Sequence, residues 1–522
     1  MKVHIIAIAA LILAPMPMLQ AAEAGTARKP NVILILADDL GIGNVSCYGA
    51  DNFKTPSIDA LAKSGMRFER CFSAPVCGPS RAVLMTGRYG FRTGMTGNDK
   101  ESAKLMGAAT EIMIPKVLKP AGYVTGQVGK WSQVPLEPSD WGFDEFLRFK
   151  ASGDYWNTQE RAKNYTLNGK SVPLADGEYL PDRMNDFAID FITRHKDQPF
   201  FLYYPMSHVH TDIMPTPDSA PDSNDYFMDN INYMDKLVGK LTAALERLKL
   251  TENTLVIFVG DNGVHPGEAE RSTIHGRRLS GAKGTMLEGG SLVPCIASWP
   301  GTIPAANSSS ALTDFSDFLP TLAELAGGKL PEGVTIDGRS LAPILKGEVG
   351  YPRESIFVQL GRNWYARESS WKLTHSNELF DMSDAPFVEK AVAADSTDPE
   401  AVAARKRLQA KLNQLNVTAG KISHGDGTGK NEEKPKKSTK NLSGKKEEAP
   451  PAPSGTAAET TAEDDPGAKF DKLDKAKTGK VTREQYLAKQ SDATKGAKRF
   501  DKLDTDKDGA LSREEFTSAP AK

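Results

Sequence analysis

Apolar and polar positions fall into two periods along most of this chain. Asn31 to Ala37 (NVILILA) and Thr254 to Gly260 (TLVIFVG) are unbroken apolar runs rich in β-branched residues. Such runs read as central parallel strands buried on both faces. Pro199 to Tyr204 (PFFLYY) is a third. Between them the period becomes helical. Thr55-Pro56 offers an N-cap followed by Pro at the first helical position, Ile58, Leu61 and Ala62 share a face, and Gly65 can end the helix. From Phe227, residues Ile231, Met234, Val238, Leu241, Leu245 and Leu248 form one apolar stripe. Strands alternating with helices predict an α/β domain over residues 25–348, with a largely parallel sheet sandwiched by helices. A smaller α+β subdomain is expected over 349–417, with a strand at Ser355–Leu360 and a helix from Pro399 to about Leu415.

Both ends break this pattern. Lys2 precedes an apolar run from Ile5 to Ala14, and Ala22-Glu23-Ala24 follows, which reads as a secretory signal peptide over 1–24. The run is shorter than the roughly 20 residues that span a bilayer. The expectation is an exported protein, periplasmic or secreted, with no transmembrane segment. Between Thr418 and Asp465 the only large apolar residues are Ile422 and Leu442, so a flexible linker is expected over 418–465. Beyond it FDKLD occurs twice, at Phe470–Asp474 and Phe500–Asp504. The second copy continues as Asp504, Asp506, Asp508, Gly509, Ala510, Ser512 and Glu515, the spacing of an EF-hand calcium loop in which Ala510 offers its carbonyl. The first copy has Ala476 and Gln485 where carboxylates belong, so it should pair structurally and bind calcium weakly or not at all. Residues 466–522 are therefore read as an α-helical EF-hand pair with one intact loop.

Charge narrows the function. Lys and Arg number 65 against 67 Asp and Glu, giving a net charge of −2. A dedicated nucleic-acid binder is excluded by the absence of a basic field. Four Cys in 522 residues exclude a disulfide scaffold and a Cys-rich metal array.

The candidate chemistry lies at strand ends. Asp38-Asp39 closes the first strand and Asp261-Asn262 the later one, at the carboxyl ends where α/β sheets bind ligands. Together they can hold a hard divalent cation through oxygen. Cys77-Gly78-Pro79-Ser80-Arg81 and Thr86-Gly87-Arg88 lie between. Taken alone, Cys77 reads as a buried small hydrophobe or a partner of Cys71.

C-x-P-S-R followed by T-G-R, downstream of A-D-D-L-G, resembles the type I, formylglycine-dependent sulfatases (arylsulfatases) of the alkaline phosphatase superfamily. Further blocks agree from about Lys29 to Met382, among them GKW at Gly129–Trp131, HVHT at His208–Thr211 and GAKGTMLEGG at Gly281–Gly290. The resemblance implies an alkaline-phosphatase-like fold and a Cys77 converted by a maturation enzyme to formylglycine. One hydroxyl of the hydrated aldehyde attacks sulfur, and the second then expels sulfate, which a serine could not do without a further attack. It implies that Asp38, Asp39, Asp261, Asn262 and the modified Cys77 hold calcium. It further implies that Arg81 supports the nucleophile, that Lys130 and Lys283 clamp the sulfate, and that His210, or else His208, assists the leaving oxygen. His265 and His275 are candidates to line the substrate cleft. Ser132 stands where the family usually has His, and a hydroxyl is a poor base near neutral pH; either another group fills in, with His208 the candidate, or turnover is slow, or this is a subfamily with different proton handling.

The leading expectation is thus an exported sulfuric-ester hydrolase acting on a sulfated, chiefly carbohydrate, substrate, with one calcium at the active site and one in the second EF-hand loop. The EF-hand pair is a candidate docking module for a partner. Two alternatives share part of the pattern: a phosphodiester or phosphonate hydrolase on the same fold, and an inactive calcium-dependent binding protein.

Overall fold

The computed structural model describes residues 28–428, apart from 108–109, 132–133, 150–151, 160–161, 351–352, 424 and 426, and residues 470–517, apart from 471–472, 475–477, 488–496, 498–499 and 502. The signal peptide, Ser132 and most of the linker lie outside the described residues.

The apolar run Asn31–Ala37 forms β1, and every residue of it is buried. Its side chains alternate between two cores, as a period of two requires. Val32, Leu34 and Leu36 face one; Ile33, Ile35 and Ala37 face the other. The remaining strands of this sheet, in chain order, are β2 (Gly65–Phe72), β3 (Val124–Lys130), β4 (Glu145–Phe149), β5 (Asn164–Leu167), β6 (Lys170–Pro173), β7 (Phe200–Pro205) and β8 (Thr254–Gly260). A two-residue hairpin, β9 (Thr273–Ile274) and β10 (Arg277–Arg278), stands apart, and β11 (Leu292–Ser298), β12 (Asn307–Ser309) and β13 (Thr313–Asp314) complete the sheet. Its order is β12-β2-β11-β8-β1-β7-β3-β4-β5-β6, with β13 beside β2.

The sheet is more mixed than its sequence predicts. The middle, β8-β1-β7-β3-β4, is parallel. However, β11 runs antiparallel to both β8 and β2, and β5 and β6 form an antiparallel edge. Strand direction is set by distant pairing, which a local apolar run does not encode.

Helices cover both faces. The helices Pro56–Lys63 (α1), Leu180–Arg194 and Tyr226–Arg247 pack on one core, and Cys77–Thr86 (α2) and Phe318–Ala326 on the other. Thr55, the expected cap of α1, makes no capping bond; the first N–H groups of the helix, at Ser57 and Ile58, donate instead to Asp235 (3.0 and 2.9 Å). Gly65 opens β2, where a Cβ would lie 2.1 Å from the Ala297 carbonyl oxygen.

A second, antiparallel sheet comprises β14 (Ile356–Leu360), β15 (Asn363–Arg367), β16 (Trp371–Thr374), β17 (Leu379–Asp381) and β18 (Lys390–Val392). Ala366, Leu373 and Leu379 of this sheet, and Leu408 and Leu412 of the helix Pro399–Leu415, join the same core as α2. The chain divides into two units, Met1–Lys434 and Pro435–Lys522. The first residues assigned to the linker therefore belong with the first unit: Val417–Ala419 forms a short helical turn and Ser423 is fully buried.

In the second unit, β19 (Lys480–Thr482) pairs antiparallel with β20 (Ala510–Ser512), Val481 opposite Leu511. Phe470, Val481, Tyr486, Phe500 and Leu511 form its core, so equivalent positions of the repeat meet in the middle. Among the described residues, no helix is long and apolar enough to cross a membrane.

Candidate active site

The register of β1 and β8 builds the floor of the site. Ala37 lies opposite Gly260, so Asp38-Asp39 and Asp261-Asn262 meet just past the two carboxyl ends. All four are fully buried. Asp39 turns in the left-handed region (φ 62°), and its N–H donates to Asp261 Oδ1 (3.0 Å). Asn262 Nδ2 donates to Asp39 Oδ1 (2.9 Å).

Cys77 is the first residue of α2 and is buried over the two aspartates, its Sγ 3.4 Å from Asp38 Oδ1 and 3.8 Å from Asp39 Oδ1. Arg81 follows one helical turn later, so both side chains share a face. Its Nη2 and Nε donate to Asp261 Oδ2 (2.7 and 3.1 Å). Lys130, the last residue of β3, donates to Asp38 Oδ2 (2.6 Å) and lies 3.3 Å from Cys77 Sγ. Lys283 bridges both oxygens of Asp39 (2.5 and 2.7 Å). Three buried carboxylates thus face three cations, which offsets much of the cost of burying each charge.

These charges move one another's pKa values. Burial raises the Asp38 carboxyl, but Lys130, His210 and Arg81 outweigh it and bring it to about 2. For Asp39, burial is again outweighed, chiefly by Lys283 and His210, and the result is lowered. Asp261 goes the other way: burial and the charge of Asp38 exceed the pull of Arg81. Burial and Asp261 push the Cys77 thiol well up, so an unmodified Cys77 stays a thiol. Burial opposes the charge on Lys283, yet its anionic neighbours hold it protonated.

The two histidines of HVHT part company. His210 Nε2 lies 3.9 Å from Asp39 Oδ2, and its Nδ1 bonds the Thr211 carbonyl. That bond keeps the proton on Nδ1 and leaves Nε2 as the acceptor. Burial and Lys130 lower its pKa, favouring the neutral ring. His208 does not reach the site. It is fully buried beside Tyr155, Tyr179 and Tyr233, bonded through Nε2 to the Tyr179 hydroxyl (3.1 Å), and burial brings it down to about 3. Its contribution is the backbone: its carbonyl accepts the Asp38 N–H (2.7 Å). The expectation that His208 replaces the missing base is therefore corrected; His210 holds the imidazole beside the strand-end acids. His265 spends its Nδ1 accepting the Gly267 N–H (3.1 Å), and His275 is exposed at the tip of the β9–β10 hairpin against Gly49.

A family model described as Sulfatase matches residues 30–328, more than half of the chain. The chain belongs to the sulfatase family. Arylsulfatase A of Homo sapiens is 38% identical over 380 residues, covering 66% of this chain and 73% of the relative. Steryl-sulfatase of Rattus norvegicus is 31% identical over 459 residues, covering 71% and 79%. Among solved structures, Ps i-CgsB in complex with k-i-k-neocarrahexaose is similar with a TM-score of 0.65 and 29% identity, covering 74% of this chain and 93% of that one. PsFucS1 sulfatase from Pseudoalteromonas sp. gives 0.61 at 26% identity, covering 75% and 91%. The protein is a sulfatase enzyme, a hydrolase of sulfate esters.

In this sulfatase the strand-end residues fit a hard divalent cation. The donors are three carboxylates and Asn262 Oδ1, a buried oxygen without a hydrogen-bond partner among the described residues. Asp38, Asp39, Cys77 and His210 can each bring a ligand atom within 4.8 Å of the others. One further residue has no signal in the sequence: Asn98, whose Oδ1 accepts the Gly78 N–H (2.8 Å) beside Cys77. An isolated Asn in a loop carries no periodicity or spacing that would single it out.

Proposed function

We propose that this sulfatase removes sulfate from a sulfated carbohydrate outside the cytoplasm, through a formylglycine made from Cys77 by a maturation enzyme and with a calcium ion at the active site. The observation that carries the reading is Cys77 at the start of α2, against Lys130 and two strand-end aspartates, with Arg81 one turn on. As an aldehyde hydrate, residue 77 would supply one hydroxyl to attack sulfur and another to release it. Asp38, Asp39, Asp261 and Asn262 would hold calcium, which supplies positive charge where the sulfuryl oxygens gather.

The chain's own side chains do the rest. Lys130 and Lys283, both with ammonium protons in the site, donate to sulfate oxygens. Arg81 holds Asp261 in place through two hydrogen bonds to Oδ2 and favours its ionised form, in opposition to burial and Asp38. His210 Nε2 accepts or returns a proton on the Asp39 side. The carbohydrate class is supported by two similar solved structures, one a complex with k-i-k-neocarrahexaose and the other from the metabolism of multiple glycosaminoglycans. Export is supported by the pattern of residues 1–24.

The test is a mass spectrum of protein exported by its own host, with turnover measured on sulfated oligosaccharides, a steryl sulfate and matched phosphate esters. Expected are a Cys77 peptide with sulfur exchanged for a carbonyl oxygen, a chain starting at Gly25, and sulfate release fastest from the saccharide. An unmodified thiol in host-exported protein would overturn the formylglycine. Faster phosphate release would favour a phosphodiester or phosphonate hydrolase.

The second repeat is read as a calcium loop that serves docking. Asp504, Asp506 and Asp508 can converge on one ion, and Glu515 accepts from Ser512 N–H (2.9 Å), closing the loop. Lys480 of the first copy pairs with Asp508, so the first loop brings a cation where a ligand is needed. Calorimetric calcium titration of the full chain should show a site of about 0.1–1 mM, the range of extracellular modules, that Asp504→Ala removes. An unchanged isotherm in that variant would refute the loop assignment.

A further inference from the structure

The segment after the last helix of the catalytic body lies along the loop at residues 96–99. Lys421 N–H donates to the Phe91 carbonyl (2.7 Å). The buried Ser423 donates its N–H to Thr96 Oγ1 (3.3 Å) and its hydroxyl to Asp99 Oδ2 (3.1 Å). Gly427 accepts the Asn98 N–H through its carbonyl (2.8 Å). The fit leaves no room for side chains, since a Cβ on Gly97 would lie 2.4 Å from Gly427 Cα. Gly361, next to Gly427, donates its N–H to the Thr96 carbonyl (2.7 Å). Asn98 is thus held by its backbone and by both flanks.

Its side chain points at the nucleophilic turn. Helix α2 begins at Cys77, and its N-cap is Val76, which makes no side-chain cap bond. The first amides of such a helix need an outside acceptor. Pro79 has no N–H, and Ser80 N–H reaches back to the Val76 carbonyl (3.3 Å). Gly78 N–H is taken by Asn98 Oδ1 at 2.8 Å. The peptide that joins Cys77 to Gly78 is thereby tied to a loop that is itself tied to Ser423 and Gly427.

We infer that Asn98 is a positioning residue for the nucleophile on residue 77, and that the strap formed by residues 417–423 and Gly427, with Gly427 as its contact, holds Asn98 in register. The inference rests on the reading of Cys77 as the nucleophile-bearing residue. Asn98 acts through Gly78 and fixes the direction of the Cα–Cβ bond of residue 77 over Asp38 and Asp39. A misplacement of about 1 Å at a reacting group can cost on the order of a hundredfold in rate.

The experiment compares wild type, Asn98→Ala, Asn98→Asp and Gly427→Ala, all as full chains. Each is checked by mass spectrometry for conversion of Cys77, and kinetics are scaled to the converted fraction. Asn98→Ala should lower kcat by about ten- to a hundredfold with KM within about twofold, the signature of lost alignment rather than lost binding. Asn98→Asp keeps an acceptor for Gly78 N–H, so kcat should return to within about threefold of wild type, while the added negative charge raises KM for an anionic substrate. Gly427→Ala, which has φ of 80° and would meet Gly361 N at 2.8 Å, should lower kcat with Asn98 itself intact. Unchanged kcat in Asn98→Ala, or equal losses in the Ala and Asp variants, would overturn the role of Asn98. Wild-type kcat in Gly427→Ala would overturn that of the strap. A kcat loss that merely follows a fall in Tm would show a structural role and count against both. Failure of the Cys77 reading would show separately, as unconverted wild-type protein.

Discussion

Cys77→Ala is expected to fold and to hydrolyse sulfate esters no faster than background. The side chain is small and buried, so its removal should cost about 1 kcal/mol of stability. The chemistry is another matter. No other cysteine is beside the strand-end acids: Cys71 and Cys295 are buried in the core cluster that lies under β1, and Cys47 packs against the opposite core. With the proposed nucleophile gone, kcat should fall by about 10⁴–10⁶-fold, the scale seen when a covalent catalyst loses its attacking group. Cys77→Ser should lose steady turnover as well, but by a different route, accumulating one covalent sulfate per chain, because a serine ester lacks the second hydroxyl that expels sulfate. Steady-state release of sulfate, with intact mass on both variants, checks the pair. Appreciable turnover in Cys77→Ala would mean that the strand-end cluster acts without a nucleophile at residue 77.

Arg81→Ala should be the most destabilising single change in the site. Arg81 and Asp261 are both buried, and two of the guanidinium nitrogens meet one carboxylate oxygen. Removing one partner of such a pair leaves an uncompensated buried charge, at about 3–5 kcal/mol. The pH dependence follows from the sign. Burial and Asp38 already raise Asp261, and without Arg81 it rises further. A carboxyl whose folded pKa lies above its unfolded value binds its proton more tightly in the folded state, so stability falls as pH rises. The deficit of Arg81→Ala against wild type should therefore be larger near pH 7 than near about pH 5. Urea unfolding in the presence of a chelator at the two pH values checks this, since bound cation would otherwise shield Asp261. A deficit independent of pH would mean that Arg81 stabilises by packing alone.

How legible the site was depended on whether its parts are local. The parallel pair β1 and β8 is visible as two apolar runs, and the acids follow them directly. Cys77 and Arg81 are four residues apart, so a helix is enough to put them on one face. The sulfatase resemblance then singled out Lys130, Lys283 and His210, whose types alone say little. His208 and His210 were indistinguishable by spacing. They separate because the loop after β7 turns one ring into an aromatic pocket and the other toward Asp39.

The linear order of residues determined by itself the central strands, the amphipathic helices and the acids at strand ends, because each depends on periods and spacings within a few residues. The tertiary structure alone decided what depends on partners far along the chain. It set β11 antiparallel to its neighbours and β5 and β6 antiparallel at one edge, and it gave the first amides of α1 to Asp235. It removed His208 from the chemistry and docked Lys421, Ser423 and Gly427 along residues 91–99, which carry Asn98. Those choices are made by burial and by hydrogen bonds that only close when distant segments meet, and no local pattern of residues announces them.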